Sequence, residues 1–209
     1  FSMNGEGISH YHRDEKFRGL IDQADIVHAD GWSTMMAGRL FTSGKFEERV
    51  ATTDAYIDML KVAEAKSASV YFVGAKESVL MEAVKVIKSQ FPKLKIAGYH
   101  HGYVNDNQLF DVFELINSSG AEVVFVGLGR PRQEAVALLM RENCRNLRFI
   151  KTCGGLFDFI SGVNPRAPLW MQKVGMEWLF RLLNEPRRLF WRYAWTNVYS
   201  IFLYIFKRN

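Results

Sequence analysis

Several stretches of this sequence hold residues that can bind or activate a ligand just after an apolar run. Asp30-Gly31 is a turn dipeptide or, as chemistry, a carboxylate at a strand end, where a general base can sit. In Gly127-Leu128-Gly129-Arg130-Pro131-Arg132-Gln133-Glu134 the glycines let backbone turn sharply towards a ligand, and a helix opening at Pro131 favours an anion. That segment lacks the Gly-Lys-Ser/Thr of a phosphate-binding loop, and Arg132 occupies the third-glycine position of a dinucleotide fingerprint. The paired histidines of His100-His101-Gly102-Tyr103 have no carboxylate or cysteine nearby at ligand spacing, so the loop reads as polar with one aromatic for stacking. In Thr152-Cys153-Gly154-Gly155-Leu156-Phe157-Asp158-Phe159, Asp158 is either a helix cap or an acceptor for a ligand. Cys153 has no histidine at a recognisable spacing and reads as a small buried hydrophobe. No Asp-x-Asp occurs in the chain, so a departing diphosphate would be stabilised by organic cations.

These loops need a frame, and the intervening residues predict one. Apolar runs at Ser69–Gly74, Lys95–Gly98, Ala121–Gly127 and Arg148–Lys151 read as strands. Helical spacing over Glu77–Ser89, Asn107–Ser118 and Pro131–Glu142 separates them. Such alternation implies an α/β fold, a Rossmann-like parallel sheet flanked by helices, with ligands at the carboxyl ends of its strands. Ala24–Val27 reads as a further strand of the same sheet, and His10 and His12 as a solvated helix start.

With 209 residues, 48% hydrophobic and 23% charged, the chain has a globular composition, which excludes collagen-like and disordered classes. Two cysteines make neither a disulfide framework nor a zinc-finger spacing and suggest a reducing compartment, and FSMNGEG is no signal peptide. The net charge of +5 is concentrated at the end, where residues 166–209 hold eight basic residues against two acidic ones. A domain boundary is therefore expected near residue 165, dividing 1–165 from a helical, Arg- and aromatic-rich appendage at 166–209.

In that appendage Arg181, Arg188 and Arg192 are spaced to share one helical face, and Pro186 is expected to start a helix. The uncharged stretch 194–206 has 13 residues, whereas a spanning helix needs about 20. Trp, Tyr and Phe mixed with Arg suit a helix lying among lipid headgroups, or alternatively one packed on the core or on a second subunit. Nucleic acid is disfavoured, because a stretch that long without positive charge does not track phosphates.

Taken in order, Ser2-Met3-Asn4, Ala29-Asp30-Gly31, Gly98–Tyr103, Gly127–Glu134, Gly154–Phe159 and Arg166-Ala167-Pro168 through Glu177–Leu182 to Glu185–Leu189 resemble the WecG/TagA/CpsF glycosyltransferase family nearly end to end. The resemblance implies an inverting, metal-independent enzyme without a cofactor. It would move a sugar of the N-acetylmannosamine or hexose type from a UDP donor to a polyprenyl-diphosphate-linked sugar. The setting would be cell-surface polysaccharide synthesis, with the enzyme cytoplasmic and peripheral on the inner face of the bacterial plasma membrane. Its alternative is a nucleotide-sugar-binding or scaffold protein of a polysaccharide assembly complex.

Position by position, the resemblance makes Asp30 the general base and Ser2 the hydroxyl near the reacting sugar. It has Arg181, Arg188 and Arg192 close over the diphosphate. Substrate-binding positions fall at Asn4, Gly31, Arg49, Asp54, Gly102, Tyr103, Gly129, Gln133 and Asp158, the last accepting from uracil. Ser2 stands where the family usually has Thr, and Thr52-Thr53-Asp54 replaces its Gly-Ser/Thr-Asp. Family members usually carry about one more strand-helix-strand ahead of the position where this chain begins.

Overall fold

A computed structural model describes residues 1–31, 34, 52–174, 176–187 and 189–191. The chain forms two compact units, Thr52–Pro165, and Phe1–Ala51 together with Arg166–Asn209. Composition divides the chain once, near residue 165; compactness groups its two ends.

The Thr52–Pro165 unit is built on four strands, β3 (Ser69–Gly74), β4 (Lys95–His100), β5 (Val123–Gly127) and β6 (Phe149–Thr152), following β1 (Ser2–Met3) and β2 (His28–Ala29) of the other unit. All pair in parallel in the order β4-β3-β5-β6. Every residue of β3 after Ser69 is buried, as expected for a central strand covered on both faces. Its side chains alternate: Val70 and Phe72 enter a core with Phe125, Phe157, Leu80 and Ile87. Tyr71 and Val73 enter another with Val112, Phe113, Val124, Val126 and Met140. Burying each of these large side chains contributes about 1.5–3 kcal/mol.

Helices cover both faces, which makes the unit the α/β fold that the alternation predicts. Of the helices in this unit, α3 (Thr52–Ala65), α4 (Glu77–Gln90) and α7 (Leu156–Ile160) supply apolar residues to the Phe72 side. The other side receives α5 (Leu109–Ser119) and α6 (Arg132–Asn143). The Phe72 ring lies 5.8 Å from Phe125 and 6.0 Å from Phe157, the latter edge-on at 85°. The chain leaves β3 for β4 on one side and later passes to β5 on the other, so the order reverses between β3 and β5. In doubly wound sheets that reversal opens a crevice at the carboxyl ends.

In the other unit, α1 (Gly5–Arg13) and α2 (Glu15–Ile21) lie between β1 (Ser2–Met3) and β2 (His28–Ala29). Asn4 caps α1, its Oδ1 accepting from the Gly7 N–H at 2.9 Å. Asp14 caps α2 by accepting from Lys16 and Phe17. His10 and His12 occupy the last turn of α1, not a helix start, because Asn4 opens the helix six residues before His10.

The expected strand at Ala24–Val27 is also displaced. The strand is His28–Ala29, and Ile26 and Val27 stay exposed. Pairing with Ser2 and Met3 fixes the register, so β-branching alone marked the wrong residues. Among the described residues β1 and β2 form a separate two-stranded sheet, not an extension of the larger one.

Near the C-terminal end are α8 (Leu169–Lys173) and α9 (Glu177–Asn184). Residues 186, 187 and 189–191 are again helical, with the Leu189 N–H donating to Glu185 O at 3.0 Å. Glu185 itself, at φ −131° and ψ 59°, breaks the path before Pro186. Proline restricts the residue before it and has no N–H to continue the ladder, so Arg181 belongs to a different helix from the one Pro186 starts. Arg188 and Arg192, which the expected shared face also involves, lie outside the described residues. Among the described residues no helix is long and apolar enough to cross a membrane.

Both cysteines are buried and free. Burial pushes the Cys153 thiol up to about 12, against a smaller opposing pull from Lys151, and that of Cys144 up to about 11. Neither is a thiolate at pH 8, so the native protein should resist alkylation by iodoacetamide at that pH and react at both sites once denatured. Mass spectrometry of the alkylated protein checks this; rapid native labelling of Cys153 would contradict its burial.

Candidate active site

The candidate residues fall into two groups, each positioned within its own unit. In the first, β1 and β2 run parallel with Ser2 opposite His28 and Met3 opposite Ala29. The Asp30 N–H then donates to Met3 O at 2.8 Å. That register brings Asn4 and Asp30, far apart in the chain, to the same carboxyl end of one strand pair. Ser2 is buried one residue before Met3, and Asp30 is half-buried. Asn4, expected at the substrate, is here the N-cap of α1, a role sequence reasoning did not assign it. Gly31 follows at φ +89°, so the chain turns away immediately after the carboxylate.

The same unit carries Arg181, in the last turn of α9 and half-buried. The Arg166-Ala167-Pro168 to Glu177 segment is a brace for this helical region. Arg166 Nε lies 3.6 Å from Glu177 Oε1, Ala167 is buried, and the Gln172 Nε2 donates to Ala167 O at 2.6 Å. Arg49 lies outside the described residues.

The second group sits at the carboxyl edge of the four-stranded sheet. Gly74 ends β3 and Gly127 ends β5, and they are register partners. A Cβ on Gly127 would stand 2.6 Å from Gly154 O and 2.9 Å from the Phe157 ring; one on Gly74 would collide with Gly127 O. Backbone therefore rests on backbone where the loops after β3, β5 and β6 meet. The loop after β4 joins them through the Gly102 N–H, which donates to Ala75 O at 2.8 Å.

From that loop Tyr103 projects with 70% of its surface exposed, so its ring is open to a planar ligand. Gly129 is exposed at φ +75°, beside the cis Arg130–Pro131 bond. Asp158 lies in the first turn of α7, where Gly155 and not Asp158 holds the cap position. Asp54 is exposed in the first turn of α3. At the end of β4 the His100 and His101 rings lie 4.5 Å apart, tilted by 40°, and His100 Nδ1 bonds His101 O at 2.8 Å. Among the described residues no three His, Cys, Asp or Glu side chains are grouped to hold a metal.

Gln133 is placed differently from an exposed ligand contact: it is only 4% exposed. Its backbone N–H donates to Gly129 O at 2.8 Å, so this first-turn donor faces its own loop. Its side-chain Oε1 accepts from the Gly154 N–H at 2.9 Å, and its Nε2 donates to Glu134 Oε1 at 2.9 Å. Arg130 Nε donates to the same Glu134 oxygen at 3.3 Å. Arg132 reaches across to donate to Val104 O and lies 3.4 Å from Asp106 Oδ1, holding down the segment behind Tyr103. Arg132 and Gln133 thus tie neighbouring loops to this segment while Arg130 and Glu134 pair within it, roles the sequence did not disclose. The spacing of Arg130 and Glu134 by four was a local hint, but the partners Val104 and Gly154 are set by the fold alone.

A family model for the glycosyl transferase WecG/TagA/CpsF family matches residues 1–209. The chain is similar to N-acetylglucosaminyldiphosphoundecaprenol N-acetyl-beta-D-mannosaminyltransferase from Bacillus subtilis (strain 168), at 35% identity over 193 residues, covering 90% of this chain and 70% of that protein. A protein of the same name from Bacillus spizizenii (strain ATCC 23059 / NRRL B-14472 / W23) is 32% identical over 194 residues, covering 92% of this chain and 71% of its own length. Ordered motifs, parallel α/β frame and whole-length match agree: the chain belongs to the WecG/TagA/CpsF family of glycosyltransferases.

Proposed function

We propose that this glycosyltransferase moves N-acetylmannosamine from a UDP donor to N-acetylglucosamine carried on a polyprenyl diphosphate, with inversion and without a metal. The names of the two relatives support the sugar and the acceptor. The observation that carries the mechanism is the Asp30 N–H bond to Met3 O, which sets half-buried Asp30 at the carboxyl end of the strand pair, opposite Asn4 and two positions beyond the partner of the buried Ser2.

In this reading Asp30 takes the proton from the acceptor hydroxyl as its oxygen attacks the anomeric carbon. The glycosidic bond to UDP breaks on the opposite face, and the bonding pair leaves with the diphosphate. A single displacement of this kind inverts the anomeric centre. The loops at the carboxyl edge of the large sheet bind the nucleotide, with Tyr103 stacking on uracil and Asp158 accepting from it. Arg181, with Arg188 and Arg192, supplies the positive charge that the leaving diphosphate requires. Arg49 and Asp54 complete the donor contacts.

The enzyme works at the inner face of the bacterial plasma membrane. Trp170, Trp178, Phe190 and Trp191 are exposed around the Arg-rich helices, a combination that suits lipid headgroups.

Transfer is measured with UDP-N-acetylmannosamine and a short-chain polyprenyl-diphospho-N-acetylglucosamine. Asp30→Asn should keep UDP binding and lose about 10²–10⁴-fold in turnover, the usual worth of a general base. Wild-type turnover in that variant would remove Asp30 from the mechanism. Arg181→Ala should cost on the order of 10²-fold in kcat on a water-soluble acceptor, as loss of one stabilising donor does elsewhere. An unchanged kcat would assign Arg181 to the fold alone. Treatment with EDTA should leave the rate unaltered; loss that magnesium or manganese restores would replace the guanidinium groups by a cation.

A further inference from the structure

Glu134 is a fully buried carboxylate with no part in the chemistry above. Its Oε1 accepts from both Gln133 Nε2 and Arg130 Nε, while its Oε2 is buried without a hydrogen-bond partner among the described residues. Leaving a buried carboxylate oxygen unbonded is costly, and an apolar residue or an amide there would avoid part of that cost. What a carboxylate alone provides is a group that accepts and never donates, paired here with a guanidinium.

That asymmetry has a consequence for Gln133. A glutamine amide has one accepting end and one donating end, and the two ends have nearly the same shape. Here the donating end must face Glu134, so the accepting end faces the Gly154 N–H. Gly154 is then held in both its flanking peptides, by Gln133 at its N–H and by the close approach of its carbonyl to Gly127. Gly154 lies in the turn that leads into α7, on which Phe157 anchors the core and Asp158 is carried.

We propose that Glu134 is a positioning residue for the donor site: it dictates the orientation of the Gln133 amide and thereby the pose of the Gly154 turn that presents Asp158. The inference rests on the reading of Asp158 as a nucleotide contact. It has a part that needs no ligand, the protection of one backbone N–H. Replacing Glu134 by glutamine keeps the shape but offers Gln133 a group that can donate as well as accept, so the Gln133 amide can turn over and release Gly154.

The test uses the full chain and Glu134→Gln. Amide hydrogen exchange at Gly154 should speed up about tenfold, the equivalent of one lost hydrogen bond, while Val73 in β3 keeps its protection. The KM for UDP-sugar should rise about tenfold with kcat and the acceptor KM within about twofold, because the lost contact is to a non-reacting part of the donor. Glu134→Asp, which still only accepts, should lie closer to wild type than the glutamine variant in both measurements.

Unchanged exchange at Gly154 would overturn the proposal, as would a fall in kcat with donor KM unaltered, the mark of a merely structural carboxylate. If Glu134→Gln does not fold, Gln133→Leu cuts the same tether while leaving Glu134 beside Arg130. Protection of Gly154 in that variant would overturn the proposal equally. A wild-type enzyme indifferent to UDP-sugars would refute the donor assignment, and Gly154 exchange would still decide the role of Glu134.

Discussion

The carboxyl edge of the four-stranded sheet depends on backbone packed directly against backbone. Gly74 and Gly127 close adjacent strands at the point where the strand order reverses, and the Gly154 turn lies against Gly127. A methyl group at Gly74 would meet only main-chain atoms of Gly127, and one at Gly127 would meet the Gly154 carbonyl and the buried Phe157 ring, so either would drive the loops apart. Everything that the edge offers to a ligand follows from that closeness. The Tyr103 loop is hung on Ala75, the Asp158 helix starts from the Gly154 turn, and the Arg130–Glu134 segment lies between them.

Packing brings the loops together, and polar side chains then fix their poses. Gln133 and Glu134 work as a relay, because an acceptor-only carboxylate sets an amide and the amide sets a peptide N–H. Arg132 does the same for the Tyr103 loop through the Val104 carbonyl. These bonds lie inside or at the rim of a core whose aromatic rings interlock, so water competes with them poorly. The same division of labour holds in the other unit, where Arg166 and Glu177 brace the helices that carry Arg181.

The chemistry proposed for Asp30 rests on a small element. Two strands of two residues each are too short to be stable alone, yet their register sets Asp30 beside Asn4. Asn4, the residue after Met3, caps the start of α1, so the N-terminal helix begins at the same strand end at which Asp30 is held.

The residue pattern by itself determined the alternation of strand and helix over 69–152 and the parallel sheet. These follow from local periodicity: β3 is a continuous apolar run, and α4 and α5 bury residues at helical spacing. The same pattern gave Cys153 as a buried small residue, and burial bears that out. It misplaced the strand before Asp30, because β-branched Ile26 and Val27 look like a strand until the register with Ser2 and Met3 is known. Its expectation that a helix starts at Pro186 fits the break at Glu185 and the helical residues that follow. Only the tertiary structure decided that Gln133 is buried and tethered at both ends, that Glu134 holds one of those ends, and that Arg132 serves a neighbouring loop. Hydrogen-bond partners 20 or more residues away, such as Gly154 for Gln133 and Val104 for Arg132, leave no periodic trace in a sequence.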